Sequence, residues 1–185
     1  NLVFSNSSFV HNLFLNEIIT GQKEDYVKKM LNYFNEKYNV KFKDYYILLT
    51  GIKKKVYTDI YHINAEEYMR IFTAAEEIIS KYMQYKGFNH EIFMFYYSNK
   101  KQMCIILNRG MHSDSEVEKC AAYVNELLQN IYENKIFNTE KRYFNFTAVS
   151  PLLKEYNQLA PAFEKLQELV EFSFFHNKSM VISDA

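Results

Sequence analysis

At 185 residues, with 48% hydrophobic side chains, the chain is the size of one domain with a short extension and has enough apolar material for a sizeable core. Its 22 basic and 22 acidic residues cancel. That argues against a domain that itself grips DNA by the phosphates, because such a domain carries a basic surplus. Four Gly and two Pro exclude collagen-like and low-complexity classes, and 16 Tyr with 16 Phe and no Trp make the expected core aromatic.

The elements follow in chain order. Residues 8–20 place Phe9, Leu13, Phe14, Ile18 and Ile19 at helical spacing, with Gly21 as a C-cap. Residues 24–38 repeat the pattern through Tyr26, Val27, Met30, Leu31 and Phe34, so residues 1–40 read as an N-terminal helical hairpin. Residues 45–51 are a nearly continuous apolar run, as suits a central strand buried on both faces. The stretch 53–63 reads as a loop. Asn64-Ala65-Glu66-Glu67 is a capping box that opens a helix. Tyr68, Ile71, Phe72, Ala75, Ile78, Ile79 and Tyr82 form its stripe, and Gly87 ends it.

Two apolar runs follow, 92–97 and 103–107, joined by Ser98-Asn99-Lys100-Lys101-Gln102, and they read as a β-hairpin. Ser115-Glu116-Val117-Glu118 is a second capping box; Val117, Cys120, Ala121, Val124, Leu127, Leu128 and Ile131 make the stripe of its helix. Residues 143–149 alternate as a strand, with Phe144, Phe146 and Ala148 on one face and Pro151 closing it. Pro161 suits the first turn of another helix, whose apolar face is Phe163, Leu166, Leu169, Val170 and Phe174. Residues 180–182 make a last short strand. After the hairpin of helices the order is β-α-β-β-α-β-α-β. The expected fold is α+β, a mostly antiparallel central sheet with helices packed on it.

The chemistry-bearing residues are sparse. Metal-dependent phosphoryl transfer needs carboxylates near the end of the first strand and at the hairpin, because Mg²⁺ takes hard oxygen ligands. These places carry Thr50-Gly51-Ile52-Lys53-Lys54 and Ser98-Asn99-Lys100-Lys101, with no acid in either. His11, His62, His90, His112 and His176 have no ligand spacing. The cluster His112-Ser113-Asp114-Ser115 reads as helix capping, since a catalytic triad draws its members from separate elements. Cys104 and Cys120 lie in apolar patterns, without the short spacing of a zinc site, and read as small buried apolar residues in a reducing compartment. Lys53-Lys54-Lys55 reads as a solvated loop rather than a nucleic-acid patch. Tyr45-Tyr46, Tyr57, Tyr61 and Tyr96-Tyr97 read as core and sheet packing in preference to a ligand-stacking surface. Arg109-Gly110 after the second hairpin strand reads as a strand-to-helix turn in preference to an anion contact. No run of about 18 apolar residues could cross a bilayer. The opening Asn1-Leu2-Val3-Phe4 is no secretory signal and there is no initiator Met, so a piece of a longer cytoplasmic protein is expected.

The stretch Ala162-Phe163-Glu164-Lys165-Leu166-Gln167-Glu168-Leu169-Val170-Glu171-Phe172-Ser173-Phe174-Phe175, followed by His176-Asn177-Lys178-Ser179-Met180-Val181-Ile182, carries a family resemblance. It resembles the A-Y-x-E-A-x-x-A-L-x-Y-R-F-F pattern, polar turn and Ile-rich strand of a degenerate GGDEF-like domain in AraC-type bacterial transcriptional regulators. Leu13-Phe14-Leu15-Asn16-Glu17-Ile18-Ile19-Thr20-Gly21 is similar to the F-L-x-x-L-L-x-G helix that opens that region, and Tyr46-Ile47-Leu48-Leu49 to its first strand. Several positions depart from the pattern, among them Phe163, which stands for its Tyr, and Ser173, which stands for its Arg.

The resemblance implies a nucleotide-cyclase-like fold without cyclase activity over residues 41–185. The cyclase signature Gly-Gly-(Asp/Glu)-Glu-Phe would fall at the hairpin, where Ser98, Asn99, Lys100, Lys101 and Gln102 stand instead. It also implies an AraC-type helix-turn-helix pair after Ala185. The expected function is therefore a regulatory domain, with no cofactor and no metal. It would act as a homodimer, through Phe9, Leu13, Phe14 and Ile18, or by docking on its DNA-binding domain. The alternatives are a small-molecule or nucleotide effector domain and a divergent cyclase.

Overall fold

Tyr45–Lys54 forms β1, the strand on which the sheet is assembled. In the computed structural model, residues 24–54, 65–97, 100–134, 143–173, 175 and 178–184 are described. Around β1 stand α1 (Glu24–Lys37), α2 (Ala65–Lys86), the hairpin of β2 (His90–Tyr97) and β3 (Lys100–Asn108), and α3 (Asp114–Asn134). They are followed by β4 (Tyr143–Val149), a 3₁₀ turn at Tyr156–Gln158, α4 (Leu159–Ser173) and β5 (Met180–Ser183). The strand order is β2-β3-β1-β4-β5, antiparallel throughout except for the parallel β4–β5 pair. The run β1-α2-β2-β3-α3-β4 is a split βαβ arrangement, in which α2 and α3 each carry the chain over one face of the sheet.

The α+β expectation and its mostly antiparallel sheet are borne out. The first helix of the expected N-terminal hairpin, and with it Phe9, Leu13, Phe14 and Ile18, lies outside the described residues.

β1 explains its own composition. Tyr46 and Leu48 face a core completed by Phe72, Ala75, Ile79 and Met83 of α2, Val117, Cys120, Ala121, Val124 and Leu128 of α3, and Met103, Ile105 and Leu107 of β3. Tyr45, Ile47 and Leu49 face the opposite core, with Leu31 of α1, Cys104 and Ile106 of β3, and Leu159, Phe163, Leu166 and Val170 of α4. A strand covered on both sides has no polar face to alternate with, so it reads as a continuous apolar run. Each fully buried Leu, Ile or Phe on it stabilises the fold by roughly 1.5–3 kcal/mol.

Several sequence expectations are corrected. The hairpin link is shorter than the five residues 98–102. Tyr97 pairs with Lys100, Tyr96 with Lys101 and Phe95 with Gln102, so three of those residues belong to β3. β1 likewise runs on through Lys53 and Lys54, which pair with Phe144 and Tyr143 rather than opening a loop. Their lysines are poor strand formers, but the ladder of backbone bonds to β4 outweighs that weak preference. Ile78 leaves the stripe of α2 and is 43% exposed, while Met83 joins it. At 3.6 residues per turn Ile78 lies about 120° round the helix from Phe72, past the edge of the buried face.

The capping of α3 moves two residues upstream. The amide of Glu116 donates to Ser113 Oγ at 3.2 Å, so Ser113 is the N-cap. The Glu116 carboxylate is then taken by His112 Nδ1 at 2.5 Å. The end of α2 is as expected. The amides of Gly87 and Phe88 bond the carbonyls of Gln84 and Met83 at 3.0 and 2.9 Å, with Gly87 at φ +79°. That is a Schellman ending, which favours glycine at its left-handed position.

β2 begins with a half-buried imidazole. His90 Nε2 lies 3.2 Å from Ser80 Oγ, and Nδ1 lies 3.4 Å from the Phe88 carbonyl. Burial holds this ring below its ordinary value of 6.5, partly offset by the Phe88 carbonyl. The neutral ring is thus the one that fits the fold, and the unfolded chain takes up the proton first. The stability it contributes is complete above pH 6.5 and is lost as the pH falls below it. Glu76 and Glu91 work in the opposite sense. Burial raises both, so their contribution is complete below the ordinary 4.5 and is lost as the pH rises through the raised values. The difference in unfolding free energy between wild type and His90→Asn, measured by urea titration, is therefore expected to shrink from pH 7 to pH 5. A difference independent of pH would show that the ring is not held neutral.

Candidate functional site

The residues weighed above for phosphoryl transfer lie where the β1–β3 ladder ends. There the register sets Thr50 opposite Met103 and Gly51 opposite Gln102. Thr50 is fully buried, and its hydroxyl is spent on the neighbouring strand: Oγ1 accepts from the Met103 amide at 3.2 Å and donates to the Met103 carbonyl at 3.4 Å. Gln102 is 4% exposed, and its Oε1 accepts from Gln167 Nε2 of α4 at 3.2 Å. A neutral carboxamide pair thus ties β3 to α4 here. Ser98 and Asn99 lie outside the described residues, and Lys100 and Lys101 are described by their backbone alone, paired with Tyr97 and Tyr96.

A second polar grouping was not legible in the sequence. On the α3 face of β4, Asn125 Oδ1 accepts from Asn145 Nδ2 at 2.7 Å and from Thr147 Oγ1 at 2.8 Å. Asn125 Nδ2 donates to Ser179 Oγ at 2.7 Å, and that hydroxyl donates to the Asn145 carbonyl at 2.8 Å. The Asn145 amide donates to Gln129 Oε1 at 2.7 Å. The seam joins α3, β4 and the approach to β5 without a charged member. Asn145 Oδ1 is buried with no partner among the described residues. Nothing in the seam is a nucleophile activated by a base, so its chemistry is that of structural hydrogen bonding.

The remaining candidates behave as buried structure. Cys104 is fully buried, and burial raises its thiol far above the ordinary value. Burial pushes the Cys120 thiol up to about 12, with Lys86 pulling weakly the other way, and its Sγ lies 3.2 Å from Met83 Sδ. Neither has the depressed pKa of a reactive thiol. The Tyr45 hydroxyl donates to the Glu155 carbonyl at 2.9 Å. The Tyr46 hydroxyl donates to Asp114 Oδ1, and burial followed by that bond pushes its pKa up to about 12. Tyr57 and Tyr61 lie outside the described residues. Among the described residues no three His, Cys, Asp or Glu side chains come together as a metal site, and no helix is long and apolar enough to cross a membrane.

No family model matches the chain, and no curated protein matches it.

Proposed function

We propose that this chain is a regulatory domain without catalysis, built on a cyclase-like α+β scaffold, that relays a signal to a DNA-binding module in a bacterial regulator of AraC type. One observation supports this reading above the others. The β1–β3 ladder ends at Gly51 opposite Gln102, and among the described residues the polar side chains seated there are Thr50, bonded to backbone, and Gln102, bonded to Gln167. A divalent cation poised for phosphoryl transfer needs acidic oxygen ligands, and residues 50–54 and 100–102 contain none. The balanced charge agrees with DNA being read elsewhere in the protein. Self-association through the segment containing Phe9, Leu13, Phe14 and Ile18 is part of the same proposal, as an isologous contact between two copies.

The expected result is no turnover of GTP by the purified chain with Mg²⁺ or Mn²⁺, followed by chromatography of the nucleotides. Any cyclic or linear nucleotide product that disappears in a Thr50→Val variant would overturn the reading. Retention of duplex DNA by the chain alone at about 0.15 M salt, where phosphate contacts are already weakened, would also overturn it.

A further inference from the structure

At the end of the sheet away from the hairpin, the segment between α1 and β1 faces the turn between β3 and α3 across a cleft of about 730 Å³. That volume is in the range of small-molecule sites. Four cations line it, Lys41, Lys43, Arg109 and Lys154, together with His112, and Asp44 is the only acid among the described residues that line it. In a chain whose charges cancel, this is a local positive concentration. Asp44 is already committed, with Oδ1 3.1 Å from Lys154 Nζ. Among the described residues no carboxylate pairs with Lys41, Lys43 or Arg109.

The walls are built rather than incidental. Asn108, at the end of β3, fastens the opposite segment through three bonds. Its Oδ1 accepts from the Lys41 amide at 3.0 Å, and its Nδ2 donates to the carbonyls of Lys41 and Lys43 at 2.8 and 3.0 Å. The Arg109 amide donates to the Asp44 carbonyl at 2.8 Å. Arg109 Nε is steadied on the His112 carbonyl at 3.3 Å, and no bond to another described residue takes its two terminal nitrogens. Gly110 turns the chain at φ +54°, with no atom within 4 Å of where a Cβ would stand, so the mouth stays open beside Arg109.

We infer that this cleft binds a small phosphate-bearing ligand. Two lysines and a guanidinium without acidic partners, converging on one concave surface, offer more positive charge than a monocarboxylate would neutralise. Phosphate instead brings close to two negative charges and three acceptor oxygens, which suits the planar fork of Arg109 flanked by ammonium groups. The concavity favours a small molecule over a flat macromolecular surface. The assignment goes beyond the regulatory reading and stands if that reading fails, since binding is measured without reference to turnover or DNA.

The test is calorimetric titration and thermal unfolding of the chain with inorganic phosphate, pyrophosphate and glycerol 2-phosphate, against chloride at matched ionic strength. A ligand that binds only the folded state raises the unfolding temperature with its concentration. Pyrophosphate is expected to do so where chloride does not. Arg109→Gln and the double variant Lys41→Gln/Lys43→Gln are expected to weaken binding by about tenfold or more each, as the loss of a charge-assisted bond implies. Their unfolding in the absence of ligand shows whether they fold, and Lys81→Gln, in an exposed pair on α2, should bind as wild type does. The inference is overturned if no phosphate compound shifts the unfolding temperature, if chloride shifts it equally, or if both variants keep wild-type affinity. Binding of acidic peptides without binding of pyrophosphate would overturn it as well.

Discussion

Phe72→Ala is expected to lower the stability of the domain by about 3–5 kcal/mol, the range for truncating a fully buried aromatic. Phe72 is 0% exposed in the core shared by α2, α3 and the sheet, among Leu48, Ala75, Ile79 and Ile105. Two effects add at this site. The ring loses its transfer from water, and rigid β1 and β3 backbones on the far side leave little freedom to close the cavity. For a domain of this size the loss corresponds to a fall of about 6–20 °C in unfolding temperature. The matched control is Ile78→Ala on the same helix. With 43% of its surface exposed, it removes less buried area and leaves no enclosed cavity, so a loss of about 1 kcal/mol or less is expected. Urea unfolding should show the midpoint of Phe72→Ala displaced with an unchanged slope. Equal effects at positions 72 and 78 would mean that α2 does not present this face to the sheet.

The order of the elements was readable because both periods are strong. α3 keeps Val117, Cys120, Ala121, Val124 and Leu128 on one buried stripe, and residues 143–149 bound β4 as its alternation implies. The boundaries failed where a local rule met a tertiary one. Lys53, Lys54, Lys100 and Lys101 look like loop residues, yet β1–β4 and β2–β3 pairing draws their backbones into strands. Ser113 and Ser115 each stand three residues before a Glu, at 116 and 118, and nothing local chooses between them. The choice goes to Ser113 because the turn from Arg109 positions His112 to take the Glu116 carboxylate.

The sites were less legible than the fold, for a topological reason. The cleft draws Lys41 and Lys43 from before β1, Arg109 and His112 from after β3, and Lys154 from after β4, so no window of sequence contains it. Arg109-Gly110 was its one local signal. The end of the β1–β3 ladder stood out only as a place without acids. Burial of Gln102 against Gln167 depends on α4 packing over β3, and Gln102 in isolation looks like part of a polar turn. The alternation of β4 also misleads. Asn145 and Thr147 lie on the face opposite Phe146 and Ala148, which suggests solvent, but α3 covers them and both are 0% exposed.

That buried seam sets the second large effect. Asn125 is its hub: Oδ1 accepts from two side chains and Nδ2 donates to Ser179. Asn125→Ala leaves the Thr147 hydroxyl without an acceptor among the seam residues and the Asn145 carboxamide with only a 3.4 Å contact to Thr147. An unsatisfied buried polar group costs about 1–3 kcal/mol, so a loss of about 2–4 kcal/mol is expected for the substitution as a whole. Thr147→Val removes one donor and returns one lone pair of Asn125, and about 1 kcal/mol is expected. The pair in combination decides whether the seam acts as a unit. Once Asn125 is gone, the Thr147 hydroxyl is already stranded, and replacing it with a methyl group relieves a penalty rather than adding one. The double variant Asn125→Leu/Thr147→Val should therefore be less destabilised than the sum of Asn125→Leu and Thr147→Val. A coupling of about 0.5–3 kcal/mol is expected between residues in one hydrogen-bonded network, measured by urea unfolding of all four proteins. Strict additivity would mean that α3, β4 and the approach to β5 are held by apolar packing alone, with the seam contributing only its separate bonds.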